Sequence, residues 1–455
     1  MSRHPALGRR LVTRLDVIGA YLGARWRAAT LHGDRLRAWQ DARAAALVTH
    51  VRANSPFHAA HWGTRPASQW REFPLVDKRL MMESFDGFTT TGIPRDEAMR
   101  VALDAEARGD YSATVRGCTV GLSSGTSGHR GLFVVSPAEQ TRWAGTILAR
   151  AIPDLRPGHR VAFFLRANSR LYERTSSVVQ FRFFDLMQPL DGVVAALNEF
   201  RPQLIVGPPS LLGLLADARR RNALRATPAR LVSVAEVIEP QDRASIAAAF
   251  QAPVGEVYQC TEGLVAVSCR HDVLHVQEDV MVVQCEPLAP TEPERVAPIL
   301  TDLWRRTQPI VRYRLGDVLH LSAERCACGS AWQRIAAIEG RQDDLCWFPQ
   351  RDETLRVVFP DAIRRMVLLA DDRITEYRAV QDAPGALRVE VEVRAGTPLA
   401  PVARAVEASV TAVLRGYGCH AGAVTVVHGV QPPAAGAKRR RVTCTWRAAT
   451  PGVAA

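Results

Sequence analysis

The sequence predicts an α/β protein in two parts: a large layered α/β N-terminal domain and a small α+β C-terminal domain joined to it by a hinge. Three observations carry that prediction. The chain has 455 residues, too many for one small core. From about Arg160, short apolar runs alternate with helical segments, the signature of a layered α/β domain. Near Gly340 the pattern changes, after a polar stretch suited to a hinge. The large domain is therefore placed at 1–340, with 1–70 as a helical lead-in, and the small one at 341–455.

In chain order, the first sixty residues carry a loose helical period through Leu36, Trp39, Ala46 and Leu47, which Arg43 interrupts. Strands are expected at 161–165 and 204–206, the second closed by Gly207-Pro208-Pro209. A helix should open at Ser210 and run into basic residues. A third strand over 231–237, a helix from Pro240 to Phe250 and a fourth strand over 254–258 complete the alternation. Beyond Gly340, a strand is expected over 388–393. A helix follows over 401–414, stopped by Gly416 and Gly418, and then a strand over 423–427.

Composition excludes several classes. With 47% apolar and 23% charged residues the chain is not disordered as a whole. No apolar run reaches the roughly 18 residues of a membrane span, and the basic start lacks a signal-peptide core, so the cytoplasm is the expected compartment. The net charge of +12 fits nucleic acid, a membrane surface or a polyanionic small substrate. The basic residues are 56 arginines and two lysines, Lys78 and Lys438, scattered rather than clustered, which favours a solvated basic surface. No stripe of interleaved aromatic and basic residues is present, so a nucleic-acid partner is not expected.

The strongest local signal is Ser123-Ser124-Gly125-Thr126-Ser127-Gly128-His129-Arg130-Gly131, followed by the apolar Leu132-Phe133-Val134-Val135. Glycines let successive backbone N–H groups turn inward as an anion-binding nest, and hydroxyls add donors. The Gly-Lys-[Ser/Thr] ending of a P-loop is missing, so a P-loop NTPase is disfavoured. Further along stand Tyr258-Gln259-Cys260-Thr261-Glu262, Arg312-Tyr313-Arg314-Leu315-Gly316-Asp317, Gly340-Arg341-Gln342-Asp343-Asp344 and Gly436-Ala437-Lys438-Arg439-Arg440-Arg441. In this order and spacing the motifs resemble those of the adenylate-forming superfamily, which includes acyl-CoA synthetases, peptide-synthetase adenylation units and luciferases. Two features resemble its phenylacetate–CoA ligase branch and the offshoot related to a deazaflavin-coenzyme adenylating synthetase. They are Cys326-Ala327-Cys328-Gly329 and Phe73-Pro74-Leu75-Val76-Asp77-Lys78. The resemblance covers roughly residues 70 to 445.

The resemblance implies an ATP-dependent ligase. A carboxylic acid and ATP would give an acyl-adenylate and pyrophosphate, and a thiol would then take the acyl group. Coenzyme A is the expected thiol, with a carrier-protein arm as the alternative; the branch implies an aromatic or other small acid. It also allows an adenylyltransferase that places AMP on a phenolic hydroxyl. Ser123, Ser124, Gly125, Thr126, Ser127 and Gly128 would close on the ATP phosphates, and Tyr258 would lie against the adenine. Thr261 would also bind the nucleotide, and Glu262 would help hold Mg²⁺, a hard cation that prefers carboxylate oxygen. Asp317 would bind the ribose hydroxyls, Arg341 would sit near the ribose or α-phosphate, and Asp343 would be the pivot. Ser233-Val234-Ala235-Glu236 stands where the family has a glycine-richer segment beside the acyl pocket.

Physical chemistry points the same way for Lys438. A carboxylate attacking an α-phosphate brings two anions together, so catalysis needs positive charge and positioning. In a chain that uses arginine almost throughout, a lysine in a Pro/Ala/Gly loop suits a role for a compact, mobile ammonium. Lys78 is assigned no chemistry. A thiolate-rich zinc site of Cys269, His271, Cys326 and Cys328 competes with the reading of these cysteines as small core residues. His275 reads as a core histidine or a pocket-lining group.

Overall fold

The computed structural model describes residues 14–108, 113–123, 131–152, 156, 158–165, 179–185, 188–288, 292–431 and 440–446. The chain separates into two compact units, one of residues 1–315 and 320–336, the other of 316–319 and 337–455. The division thus falls at Ala336/Ala337 rather than after Gly340, and the second unit also claims a short return of chain at 316–319. The cause is non-local: the Gln342 N–H donates to the Gly316 carbonyl at 2.8 Å, and Arg341 pairs with Asp317 at 3.7 Å.

The large unit opens with the helices Arg14–Thr30, Gly33–Asn54 and Pro56–Trp62. In Gly33–Asn54 the buried stripe is Leu36, Gln40, Ala44, Leu47, Val48 and Val51, a clean helical period; Ala46 points to solvent. Arg43 interrupts the apolar pattern because its guanidinium stacks 3.5 Å from the Trp304 ring centre.

Its centre, among the described residues, is five parallel strands. In spatial order they are Val179–Asp185, His159–Leu165, Leu204–Gly207, Arg230–Ser233 and Val254–Cys260. Helices Leu190–Phe200, Pro209–Arg220 and Pro240–Phe250 bury Leu197, Leu212, Leu215 and Phe250 against one core; Pro137–Ala151 contributes Leu148 to another. Along His159–Leu165, Val161 belongs to one core and Phe164 to the other, so the run is apolar on both faces, as a covered parallel strand must be. The strand expected over 231–237 stops at Ser233, because Ala235 turns the chain at φ +69°. The helix expected from Ser210 starts at Pro209, a favoured first-turn residue. After Val254–Cys260 the pairing becomes antiparallel through Gly263–Ser268 and Leu274–Val276. Among the described residues, no helix is long and apolar enough to cross a membrane.

The small unit has a four-stranded sheet ordered Ala423–His428, Ala386–Val393, Ile374–Gln381, Val442–Cys444. Helix Leu399–Gly416 lays Val402, Val406, Val410 and Leu414 on it, all fully buried at four-residue spacing. Each such side chain contributes about 1.5–3 kcal/mol of hydrophobic stabilisation.

Candidate functional site

The strands on either side of the hydroxyl-rich segment form a β-hairpin. Cys118–Leu122 and Leu132–Val135 pair antiparallel, with Leu122 opposite Leu132. The Ser123 N–H donates to the Gly131 carbonyl at 2.7 Å, and the Gly131 N–H donates to Ser123 Oγ at 2.8 Å. Gly121 lies beneath Phe133, and a Cβ there would fall 2.3 Å from the ring and push it aside. Ser123 thus anchors the base of the loop. Ser124, Gly125, Thr126, Ser127 and Gly128 lie outside the described residues, as does Lys438.

A second lysine stands at that base. Asp77 caps the helix Lys78–Glu83 by accepting from the Leu80 N–H at 2.8 Å, and the Lys78 stem passes so close to Gly131 that a Cβ there would meet its Cε at 2.9 Å. A spacing of about fifty residues to the loop gave no sign of this contact.

The strand Val254–Cys260 delivers Thr261 and Glu262 to the carboxyl end of the parallel sheet, where α/β folds place their ligands. Tyr258 lies within the strand, 8% exposed and paired with Ala266. Three contacts fix the turn. Thr261 Oγ1 donates to Glu262 Oε2 at 2.9 Å, the Tyr313 hydroxyl donates to the Glu262 carboxylate, and Arg305 Nη1 donates to the Thr261 carbonyl. Burial first, and the Glu262 charge second, push the Tyr313 phenol well above its ordinary value, so it remains a donor. Tyr313 is in turn stitched to the upstream motif: the Val76 N–H donates to the Arg312 carbonyl and the Arg314 N–H to the Val76 carbonyl. Two motifs far apart in sequence therefore meet at one half-buried carboxylate, and a third braces the tyrosine between them. An oriented carboxylate of this kind fits Mg²⁺, which would draw charge from the ATP phosphates.

Arg305, Gln308 and Glu139 complete the support, and none carried a sequence signal. Gln308 is 1% exposed; its Oε1 accepts from Arg305 Nη2 at 3.1 Å and from the Val134 N–H at 2.9 Å, and its Nε2 donates to the Leu132 carbonyl. The hairpin arm and the Thr261–Glu262 turn are thereby linked through two side chains. Glu139 belongs to the capping box of Pro137–Ala151 and also accepts from the N–H groups of Arg306 and Thr307 at 2.6 and 2.8 Å.

Asp302 holds the same turn, accepting from the N–H groups of Trp304 and Arg305. Desolvation at this half-buried position pushes its carboxyl from 3.8 up to about 6. Between those values the folded chain keeps a proton that the unfolded chain has released, so stability falls as pH rises through that window. The loss from Asp302 should amount to about 3 kcal/mol by neutral pH. Asp302→Asn keeps an acceptor for both amides and should flatten this slope in urea unfolding followed from pH 4 to 7. An unchanged slope would refute the assignment.

In the small unit Asp317 and Arg341 come together as the 3.7 Å ion pair, and Gly316 makes the turn before them at φ +79°. Asp343 lies in the short 3₁₀ turn Gln342–Asp344. Its neighbour Asp344 is buried and accepts from Arg440 Nε at 3.2 Å. Arg441 pairs with Glu376 at 2.7 Å.

An apolar cavity opens between the helix Pro137–Ala151 and the parallel sheet, walled by Trp143, Ile147, Phe163, Phe181, Val206 and Val234. Gln259 sits at its edge, accepting from Trp143 Nε1 at 3.0 Å; no charged side chain lines it among the described residues. Val234 is the wall contributed by the segment that departs from the glycine-richer pattern. Ala235 holds the left-handed conformation that glycine favours, and Glu236 turns away to accept from the Ser210 N–H at 3.3 Å.

No family model matches the sequence. A phenylacetate–coenzyme A ligase of Thermus thermophilus is 22% identical over 395 residues, 81% of this chain and 83% of that protein. Among solved structures, 2-hydroxyisobutyryl-CoA ligase in its postadenylation state superposes with a TM-score of 0.70 at 20% identity, over 92% of this chain and 91% of that one. The fold is that of the adenylate-forming CoA ligases. The same ligase in an open conformation, with acyl-adenylate and CoA, superposes with a TM-score of 0.59 at 21% identity, over 90% and 91% of the two chains. The adenylate-forming resemblance read from the motifs and the fold class read from the strand–helix alternation agree with these matches.

Proposed function

We propose that the protein is an AMP-forming acid–thiol ligase: it activates a small carboxylic acid with ATP to an acyl-adenylate and transfers the acyl group to coenzyme A. The observation that carries this reading is the meeting of the separate motifs at Glu262, on the carboxyl end of the parallel sheet and linked through Arg305 and Gln308 to the hydroxyl-loop hairpin. Such a frame positions phosphates and a metal-facing carboxylate, which is most of what phosphoryl and adenylyl transfer require. In this reading the hydroxyl loop from Ser123 to Gly128 holds the phosphates, Tyr258 and Thr261 bind the nucleotide, and Asp317 and Arg341 bind its ribose. Lys438 supplies the mobile charge, and Asp343 is the pivot between the two half-reactions. The apolar cavity suits the body of an aromatic acid better than a charged one. A reaction that consumes ATP and coenzyme A belongs in the cytoplasm, where reduced cysteines are also expected.

The test is a pyrophosphate-release screen over aromatic and small aliphatic acids, with and without coenzyme A. Pyrophosphate should appear with the correct acid, and AMP should be released when the thiol is added. A product that retains AMP as a stable phosphodiester would replace this reading with adenylyl transfer to a hydroxyl. Thioester formation on a phosphopantetheine-bearing carrier but not on coenzyme A would change the acceptor alone.

A further inference from the structure

Cys269, His275, Cys326 and Cys328 each turn one ligand atom toward a common point, with all four atoms within 4.8 Å of one another. This differs from the set expected from sequence. His271 is exposed, its ring nitrogen accepts from Arg270 Nε, and only its backbone N–H faces the cluster, donating to Cys269 Sγ. His275 takes its place because Leu274–Val276 pairs with Gly263–Ser268 and brings its ring beside Cys328.

We propose that these four residues form a structural zinc site. The edge lengths are the first ground. Zn–S bonds of about 2.3 Å and a Zn–N bond of about 2.05 Å at tetrahedral angles put two sulfurs about 3.8 Å apart and a sulfur and nitrogen about 3.6 Å apart. The Cys269–Cys326 sulfurs are 3.7 Å apart, and Cys328 Sγ is 3.5 Å from His275 Nε2. Tautomer is the second ground. His275 Nδ1 lies 3.1 Å from the Trp332 carbonyl, which can only accept, so Nδ1 carries the proton and Nε2 offers a lone pair to the cluster. The third ground is the sulfurs themselves. Each accepts a backbone N–H from two residues on: His271 to Cys269, Cys328 to Cys326 and Ser330 to Cys328. Such donors fix the position of each sulfur, as outer hydrogen bonds do around a metal's ligand set. Soft thiolates with one imidazole select zinc over magnesium or calcium.

Four protein ligands leave no open position, so the metal is structural rather than catalytic. It would pin the hairpin of Gly263–Ser268 and Leu274–Val276 to the turn at Cys326–Cys328. From that turn Trp332 continues, its Nε1 donating to the Leu31 carbonyl at 3.0 Å. The inference rests only on these atoms and stands apart from the proposed ligase activity.

The test uses the full chain, purified under reducing conditions without chelator. Mass-spectrometric metal analysis should find about one zinc per chain, released by a thiol-blocking mercurial. Replacing it with Co²⁺ should give intense tetrahedral d–d bands and a sulfur-to-cobalt charge-transfer band. His275→Ala should weaken metal retention by at least about tenfold, while Cys285→Ser, at an exposed cysteine outside the cluster, should keep it. The wild-type cobalt spectrum decides the matter if the variant fails to fold. Less than about a tenth of an equivalent of zinc, both as purified and after reconstitution, would overturn the proposal. So would weak octahedral cobalt bands or a Cys269–Cys326 disulfide.

Discussion

Lys438→Ala is expected to slow acyl-adenylate formation by about two to four orders of magnitude, the scale of losing a charge contact made in the transition state. Formation of thioester from supplied acyl-adenylate should be far less affected, because no α-phosphate is then under attack. The described residues on both sides of 432–439 are firmly held. Val430 and Gln431 donate their N–H groups to Glu392 and Glu390, while Arg440 and Arg441 are tied to Asp344 and Glu376. Neighbouring arginines so engaged are poor substitutes for a lost ammonium. Lys438→Arg should not restore the rate, since a planar fork is not a compact point charge. ATP–pyrophosphate exchange and a thioesterification assay separate the two half-reactions. Equal loss in both would remove Lys438 from the adenylation step.

Glu262→Gln should lower adenylation by about two to three orders of magnitude at saturating substrates. The amide keeps the shape and still accepts from the Tyr313 and Thr261 hydroxyls, so the thermal midpoint should hardly move. What is lost is the negative charge offered to Mg²⁺, and the variant's residual rate should need far more magnesium. Near wild-type exchange at ordinary magnesium would mean that Glu262 only braces the turn.

Four of the five described parallel strands could be read from sequence because each is a short apolar run, while Val179–Asp185, with Gln180 and Arg182 inside it, carries no such run. That pattern is local. The strand over 231–237 was overread because Val234 and Val237 look like strand residues, and only the backbone at Ala235 reveals the turn. The five motifs could be named, yet their joinery could not. Arg305 reaches Thr261 across 44 positions, and Gln308 reaches Val134 across 174, contacts with no periodicity to announce them. The exchange of His271 for His275 has the same origin. Nothing along the chain separates the two histidines, and strand pairing decides which ring faces the sulfurs.

The near absence of lysine has a consequence for the proposed activity. Acyl-adenylates transfer their acyl groups to neutral amines, whereas a guanidinium stays protonated and does not attack. In the proposed reaction, a chain with 56 arginines and two lysines would offer an acyl-adenylate few side-chain amines on which to be wasted. One of the two, Lys78, has its stem packed against Gly131 at the base of the hydroxyl loop. An amine-directed label on this protein would therefore have few side chains to find, and one of them marks the entrance to that loop.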